Sequence, residues 1–109
     1  MAGENVKDVT GANFAEVVGK GVAALDFWAP WCGPCRMQGP LFETAANMMA
    51  GQATFGKVNV DEEADLAAKF GVRSIPTIVV LKDGVAVETK VGVVRVAELS
   101  EMVKKVISG

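Results

Sequence analysis

Val22-Ala23-Ala24-Leu25-Asp26-Phe27-Trp28 is an apolar run interrupted only by Asp26, and Ala29-Pro30-Trp31-Cys32-Gly33-Pro34-Cys35 follows it directly. The run is continuous rather than alternating, the pattern of a strand buried on both faces inside a sheet that helices cover. The segment behind it reads as a strand-to-helix turn, and a helical stretch continues from about Pro34 through Met49. Pro40 lies inside that stretch and predicts a kink. Met37, Leu41, Ala45 and Met48 recur at helical spacing, which predicts a core-facing stripe.

Outward from this segment, a second strand reads from Ala53 to Val60, followed by a short helix from Glu62 to Phe70 that Gly71 would end as a left-handed cap. Thr77 to Leu81 and Val85 to Val91 form a predicted hairpin across Lys82-Asp83-Gly84, where Asp-Gly supplies the positive φ angles of a tight turn. The last helix places Val96, Leu99, Val103 and Val106 on one face. Toward the N-terminus, Phe14, Val17 and Val18 predict a helix after Thr10, with a weaker strand before it. Strands alternating with helices and then a hairpin imply an α/β fold, a mixed sheet flanked by helices on both faces.

The 109 residues, half of them hydrophobic and 22% charged, suit one domain spanning 1–109, with no low-complexity linker and no internal repeat. A formal net charge of -2 gives no basic footprint, so nucleic acid is not an expected partner. Met1-Ala2-Gly3-Glu4-Asn5 lacks the basic and apolar regions of a signal peptide, and no apolar stretch approaches the roughly 18 residues of a membrane span. The expectation is a cytoplasmic chain. With no His, Cys-His proteolysis and His-based zinc sites are excluded, and two Cys cannot make a four-thiolate zinc site. Redox chemistry or a two-thiolate soft-metal site remains.

Cys32 and Cys35 are three residues apart at the predicted helix start, so their side chains occupy neighbouring positions on one edge. With Cys32 at the cap position, its sulfur can accept the Cys35 backbone N–H as a capping oxygen would, and the helix dipole favours the thiolate. A structural bridge across so short a loop would contribute only roughly 2 kcal/mol, which suits opening better than stapling. From the spacing alone redox chemistry leads, with metal binding and a structural pair as alternatives.

The full string Trp31-Cys32-Gly33-Pro34-Cys35 closely resembles the active-site motif of the thioredoxin family. Asp26-Phe27-Trp28-Ala29, Pro40, Lys57-Val58-Asn59-Val60-Asp61, Ile75-Pro76-Thr77, Gly84 and Gly92 resemble further landmarks of that family, in order and similarly spaced. The resemblance covers almost the whole chain. It implies the thioredoxin fold and a protein-disulfide oxidoreductase that needs no metal and no cofactor beyond its own Cys32–Cys35 disulfide. Cys32 would be the nucleophile and Cys35 the resolving thiol. Asp26 would accept and return the proton of Cys35 through water, and Lys57 on the adjacent strand would tune that carboxyl.

Sequence alone assigns a trans Ile75–Pro76 bond, whereas the resemblance implies a cis bond facing the dithiol, with Ile75 offering backbone groups to an extended substrate. Trp31, Gly33, Pro34, Ile75, Pro76, Gly92 and Val93 would form the docking surface, and Trp28 would pack beneath it. The implied partners are a thioredoxin reductase and disulfide-containing proteins such as ribonucleotide reductase, peroxiredoxin and methionine sulfoxide reductase, met by a monomer.

Three positions depart from the family pattern. Pro30 stands where an acidic or small residue is usual, Gln38-Gly39 replaces a more apolar pair, and Val93 is bulkier than the frequent Ala. These bear on partner choice and redox potential rather than on dithiol chemistry. The rival readings are an oxidant or isomerase of an oxidising compartment, a thiol-independent subunit of a larger complex, and a soft-metal carrier.

Overall fold

The computed structural model describes residues 4–109, so the Met1–Gly3 part of the N-terminal stretch lies outside the described residues. In chain order the first elements are β1 (Val6–Asp8), α1 (Phe14–Val18), β2 (Val22–Trp28), α2 (Gly33–Met48) and β3 (Thr54–Asn59). There follow α3 (Ala64–Lys69), β4 (Thr77–Lys82), β5 (Val85–Val91) and α4 (Val96–Ser108). The sheet order is β1-β3-β2-β4-β5. β3 pairs in parallel with β1 and β2, whereas β4 runs antiparallel to β2 and β5 antiparallel to β4.

β2 is the central strand, and its continuous apolar run is explained by the layers on either side. Successive side chains point to opposite faces. Val22 and Ala24 pack with Phe42, Ala45, Ala46 and Met49 and with Leu99, Met102 and Val103 of α4. Ala23, Leu25 and Phe27 pack with Phe14 and Val18 of α1 and Leu66 of α3. Asp26 and Trp28 continue the first of these two sets, on the side that α2 covers.

The turn chemistry follows the sequence. Lys82 pairs with Val85 across a two-residue turn in which Asp83 and Gly84 have φ of 51° and 82°, the doubly left-handed geometry that matches strand twist. Gly71, at φ 66°, ends α3: its N–H donates to the Ala68 carbonyl and the Val72 N–H to the Ala67 carbonyl, the paired bonds of a Schellman cap.

The expected stripe on α2 is corrected by the structure. Met37 and Met48 are 58% and 60% exposed and Leu41 is half-buried. The buried face is instead Cys35, Gln38, Phe42, Ala45 and Ala46, with Met49 just beyond the helix end. Only Ala45 of the expected four is fully buried. The apolar periodicity points to the wrong phase because a polar Gln occupies a core position while two apolar methionines face outward. α2 runs through Pro40 from Gly33 to Met48.

Candidate active site

Cys32 is the N-cap of α2, with an extended backbone, and Pro34 sits in the first turn, where its missing N–H costs no helical bond. The two cysteines are joined in a disulfide with their Cα atoms 5.3 Å apart. The Cys35 N–H donates to Cys32 Sγ at 3.2 Å, so the sulfur occupies the place of a capping oxygen. The N-terminus of a 16-residue helix adds its positive end to the same atom. Both cysteines are buried to a similar degree in the disulfide form. Exposure therefore does not separate them, but the cap does.

Asp26 is fully buried, and neither carboxyl oxygen has a hydrogen-bond partner among the described residues. Burial pushes its carboxyl up from 3.8 to about 7, against a smaller opposing pull from the Lys57 ammonium. Lys57 is the register partner of Asp26 across the parallel β2–β3 pair. Its Nζ also lies 4.4 Å from the centroid of the Trp28 ring, within cation–π range. Trp28 packs against the small cluster of Ala29, Cys32 and Cys35. A pocket bordered by residues including Trp28, Pro30, Gly39, Pro40 and Lys57 reaches Cys35 from the flank of α2.

The loops complete the rim. The Ile75–Pro76 bond is cis, as the resemblance implied, and the Ile75 carbonyl oxygen lies 3.8 Å from Cys32 Sγ. The Pro76 carbonyl accepts the Gly92 N–H at 2.9 Å, which ties the segment after β5 to the segment before β4. Trp31 is 68% exposed, and Gly33, Pro34 and Val93 are also at the surface. Ile75 and Gly92 are half-buried and Pro76 is buried. Gly92 has φ 96°, which glycine adopts without a Cβ penalty.

This constellation has a match across nearly the whole chain: the thioredoxin family model covers residues 5–105. The chain belongs to the thioredoxin family. It is 46% identical over 96 residues to the thioredoxin of Bacillus subtilis, covering 88% of this chain and 92% of that one. It is 42% identical over 101 residues to the thioredoxin of Rhodospirillum rubrum, covering 91% and 97%. A mutant thioredoxin of Halobacterium salinarum superposes with a TM-score of 0.87 at 34% identity, over 98% of this chain and 95% of that one. The Malassezia sympodialis thioredoxin gives 0.84 at 36% identity, over 96% and 92%. Thioredoxins are protein-disulfide oxidoreductases that act through their own redox-active disulfide, and the family interacts with thioredoxin reductase and disulfide substrates.

Two residues of this thioredoxin site carry contacts that sequence reading did not assign. The Trp31 indole N–H donates to the Asp61 carboxylate, 3.0 Å to Oδ2 and 3.2 Å to Oδ1, which holds the exposed ring against the segment after β3. Asp61 ends the string Lys57-Val58-Asn59-Val60-Asp61, but nothing in that string pairs it with Trp31. Gln38, noted only as a departure, is fully buried and bonded to Val94 at both ends of its amide. No sequence signal connects positions 56 residues apart.

Proposed function

We propose that this chain is a general protein-disulfide reductase working as a single cytoplasmic domain and a monomer. Cys32 is the attacking thiol and Cys35 the resolving one. The observation that carries this reading is the Cys35 N–H donating to Cys32 Sγ at the head of α2. In the reduced protein the same bond and the helix dipole stabilise a Cys32 thiolate, the acidified thiol well known in thioredoxins.

The thiolate attacks one sulfur of a substrate disulfide. A Cys32–substrate disulfide forms, and the other substrate sulfur leaves as a thiolate and takes a proton from water. Cys35 then loses its proton, attacks Cys32 Sγ and expels the second substrate thiolate. Two electrons have moved to the substrate, and the protein is left with the Cys32–Cys35 disulfide seen here.

Asp26 is assigned the proton traffic of Cys35. Its carboxyl, pushed up to about 7, is divided between both protonation states near neutrality, the condition a proton acceptor and donor needs. Lys57 counters the desolvation and keeps that balance within reach. Trp31, Gly33, Pro34, Ile75, Pro76, Gly92 and Val93 form the docking rim, with the Ile75 backbone available to an extended segment by strand-like pairing. Among the described residues no helix is long and apolar enough to cross a membrane. A thioredoxin reductase would recharge the pair, and ribonucleotide reductase, peroxiredoxin and methionine sulfoxide reductase are the substrate proteins to try first.

Insulin-disulfide reduction with dithiothreitol or a candidate reductase as donor tests the activity, and iodoacetamide mapping of the reduced protein tests the roles. Turbidity from reduced insulin and preferential alkylation of Cys32 are expected. Preferential alkylation of Cys35 would reverse the assignment.

A further inference from the structure

The segment Gly92–Arg95 joins β5 to α4 and belongs to neither. At one end the Gly92 N–H donates to the Pro76 carbonyl, and at the other the Arg95 carbonyl accepts the first bond of α4 from the Leu99 N–H. Val94 lies between them and is fully buried, so its peptide groups must find partners away from water. A single side chain supplies both. Gln38 Nε2–H donates to the Val94 carbonyl at 2.9 Å, and Gln38 Oε1 accepts the Val94 N–H at 2.7 Å.

These contacts close a ring around the dithiol. Cys32 Sγ meets the Ile75 carbonyl, the Pro76 carbonyl holds Gly92, Val94 is held by Gln38, and Gln38 returns through one turn of α2 to Cys35. The Gln38 amide is the side-chain link on the Val94 side of that ring. The Lys90–Glu98 ion pair also joins β5 to α4, but both partners are about half exposed and screened by solvent.

We propose that Gln38 is a positioning residue for protein substrates, its amide latching the Gly92–Val93 wall of the docking rim to the helix that carries the dithiol. The inference rests on the reading of that rim as the docking surface. Gln38 directs its two hydrogen bonds to Val94 and neither to the sulfurs, so it acts through the wall rather than on the chemistry. An apolar residue of similar size would fill the space yet leave both Val94 groups unpaired, and the wall would lose its fixed distance from Cys32. A polypeptide laid across the rim needs that distance. A small aromatic disulfide that meets only the attacking sulfur does not.

The test compares the parent with Gln38→Leu and Gln38→Asn, the latter a smaller polar residue whose amide is one methylene too short to meet both Val94 groups. Insulin reduction with dithiothreitol as donor gives KM and kcat, and 5,5′-dithiobis(2-nitrobenzoate) gives the rate with a small disulfide. KM for insulin is expected to rise about three- to ten-fold while kcat and the small-disulfide rate stay within about two-fold. In the parent, the Val94 amide is expected among the slowly exchanging hydrogens, a readout that needs no variant. A folded variant with parental KM overturns the latch, as does a Val94 amide exchanging like an open loop. A fall in the small-disulfide rate at parental KM overturns it too, because Gln38 would then act on the dithiol. A parent inert toward both disulfides would instead overturn the reductase reading itself.

Discussion

Asp26 and Gln38 are both fully buried polar side chains on the α2 side of the sheet, yet Gln38 engages Val94 with both ends of its amide while Asp26 finds no partner among the described residues. An isolated carboxyl inside an apolar strand penalises the fold whenever it ionises. A doubly bonded amide contributes to the fold at every pH. Under the roles proposed above, the difference separates a group that transfers a proton from one that holds geometry, although both are polar residues at core positions. Substitution should therefore move stability in opposite directions.

The largest effect is expected at Asp26. Its carboxyl is pushed up from 3.8 to about 7, so between those values the native state holds a proton that the unfolded state has released. Native stability therefore falls as pH rises from about 4 and levels off above about 7. Asp26→Ala abolishes that loss. The variant should gain up to about 4 kcal/mol over the parent at pH 8, less the cost of the small cavity, and little at pH 4. Denaturant melts across pH 4 to 9 make the comparison. A variant that loses ground to the parent between pH 4 and pH 8 would mark Asp26 as a charged and well-paired residue.

Gln38→Leu should act in the other direction, destabilising by about 2 kcal/mol through the two unpaired Val94 groups, to a similar extent across the same pH series. A loss that appears only above pH 7 would link Gln38 to the Asp26 titration and remove the contrast. The smallest effect is expected from Lys57→Gln. The Lys57 ammonium lowers the Asp26 carboxyl, so its removal should move the Asp26 titration to higher pH and extend the falling limb of the parent stability curve in the same direction. Carboxyl NMR shifts of Asp26 in both proteins measure this, and an unchanged midpoint would show that the pairing across β2–β3 carries no electrostatic weight.

These contrasts also mark what the sequence discloses. β2 was legible because seven residues with one polar member leave no alternating face, and the β4–β5 hairpin was legible because Asp83-Gly84 meets a steric requirement of its turn. Asp26 announced itself as the one acid in that run. The phase of α2 was not legible, because burial at position 38 depends on a peptide 56 residues away rather than on the apolarity of its own side chain. Met37 and Met48 misled in the converse way, as apolar residues that face outward. The cis Ile75–Pro76 bond came from resemblance, since no local residue pattern here specifies it. The Trp31–Asp61 bond is a tertiary contact between two exposed residues, and nothing in the spacing of either string points to it.

Trapping the mixed-disulfide intermediate decides the division of labour between Cys32 and Cys35. Under the proposed roles Cys35→Ser would keep the attacking thiol and lose the resolving one, so with a disulfide-bonded substrate protein it should accumulate a covalent complex. That complex should be released by dithiothreitol and map to Cys32 by mass spectrometry. Cys32→Ser should trap none. A stable adduct on Cys35 of the Cys32→Ser protein, with none on Cys32 of the Cys35→Ser protein, would contradict the account.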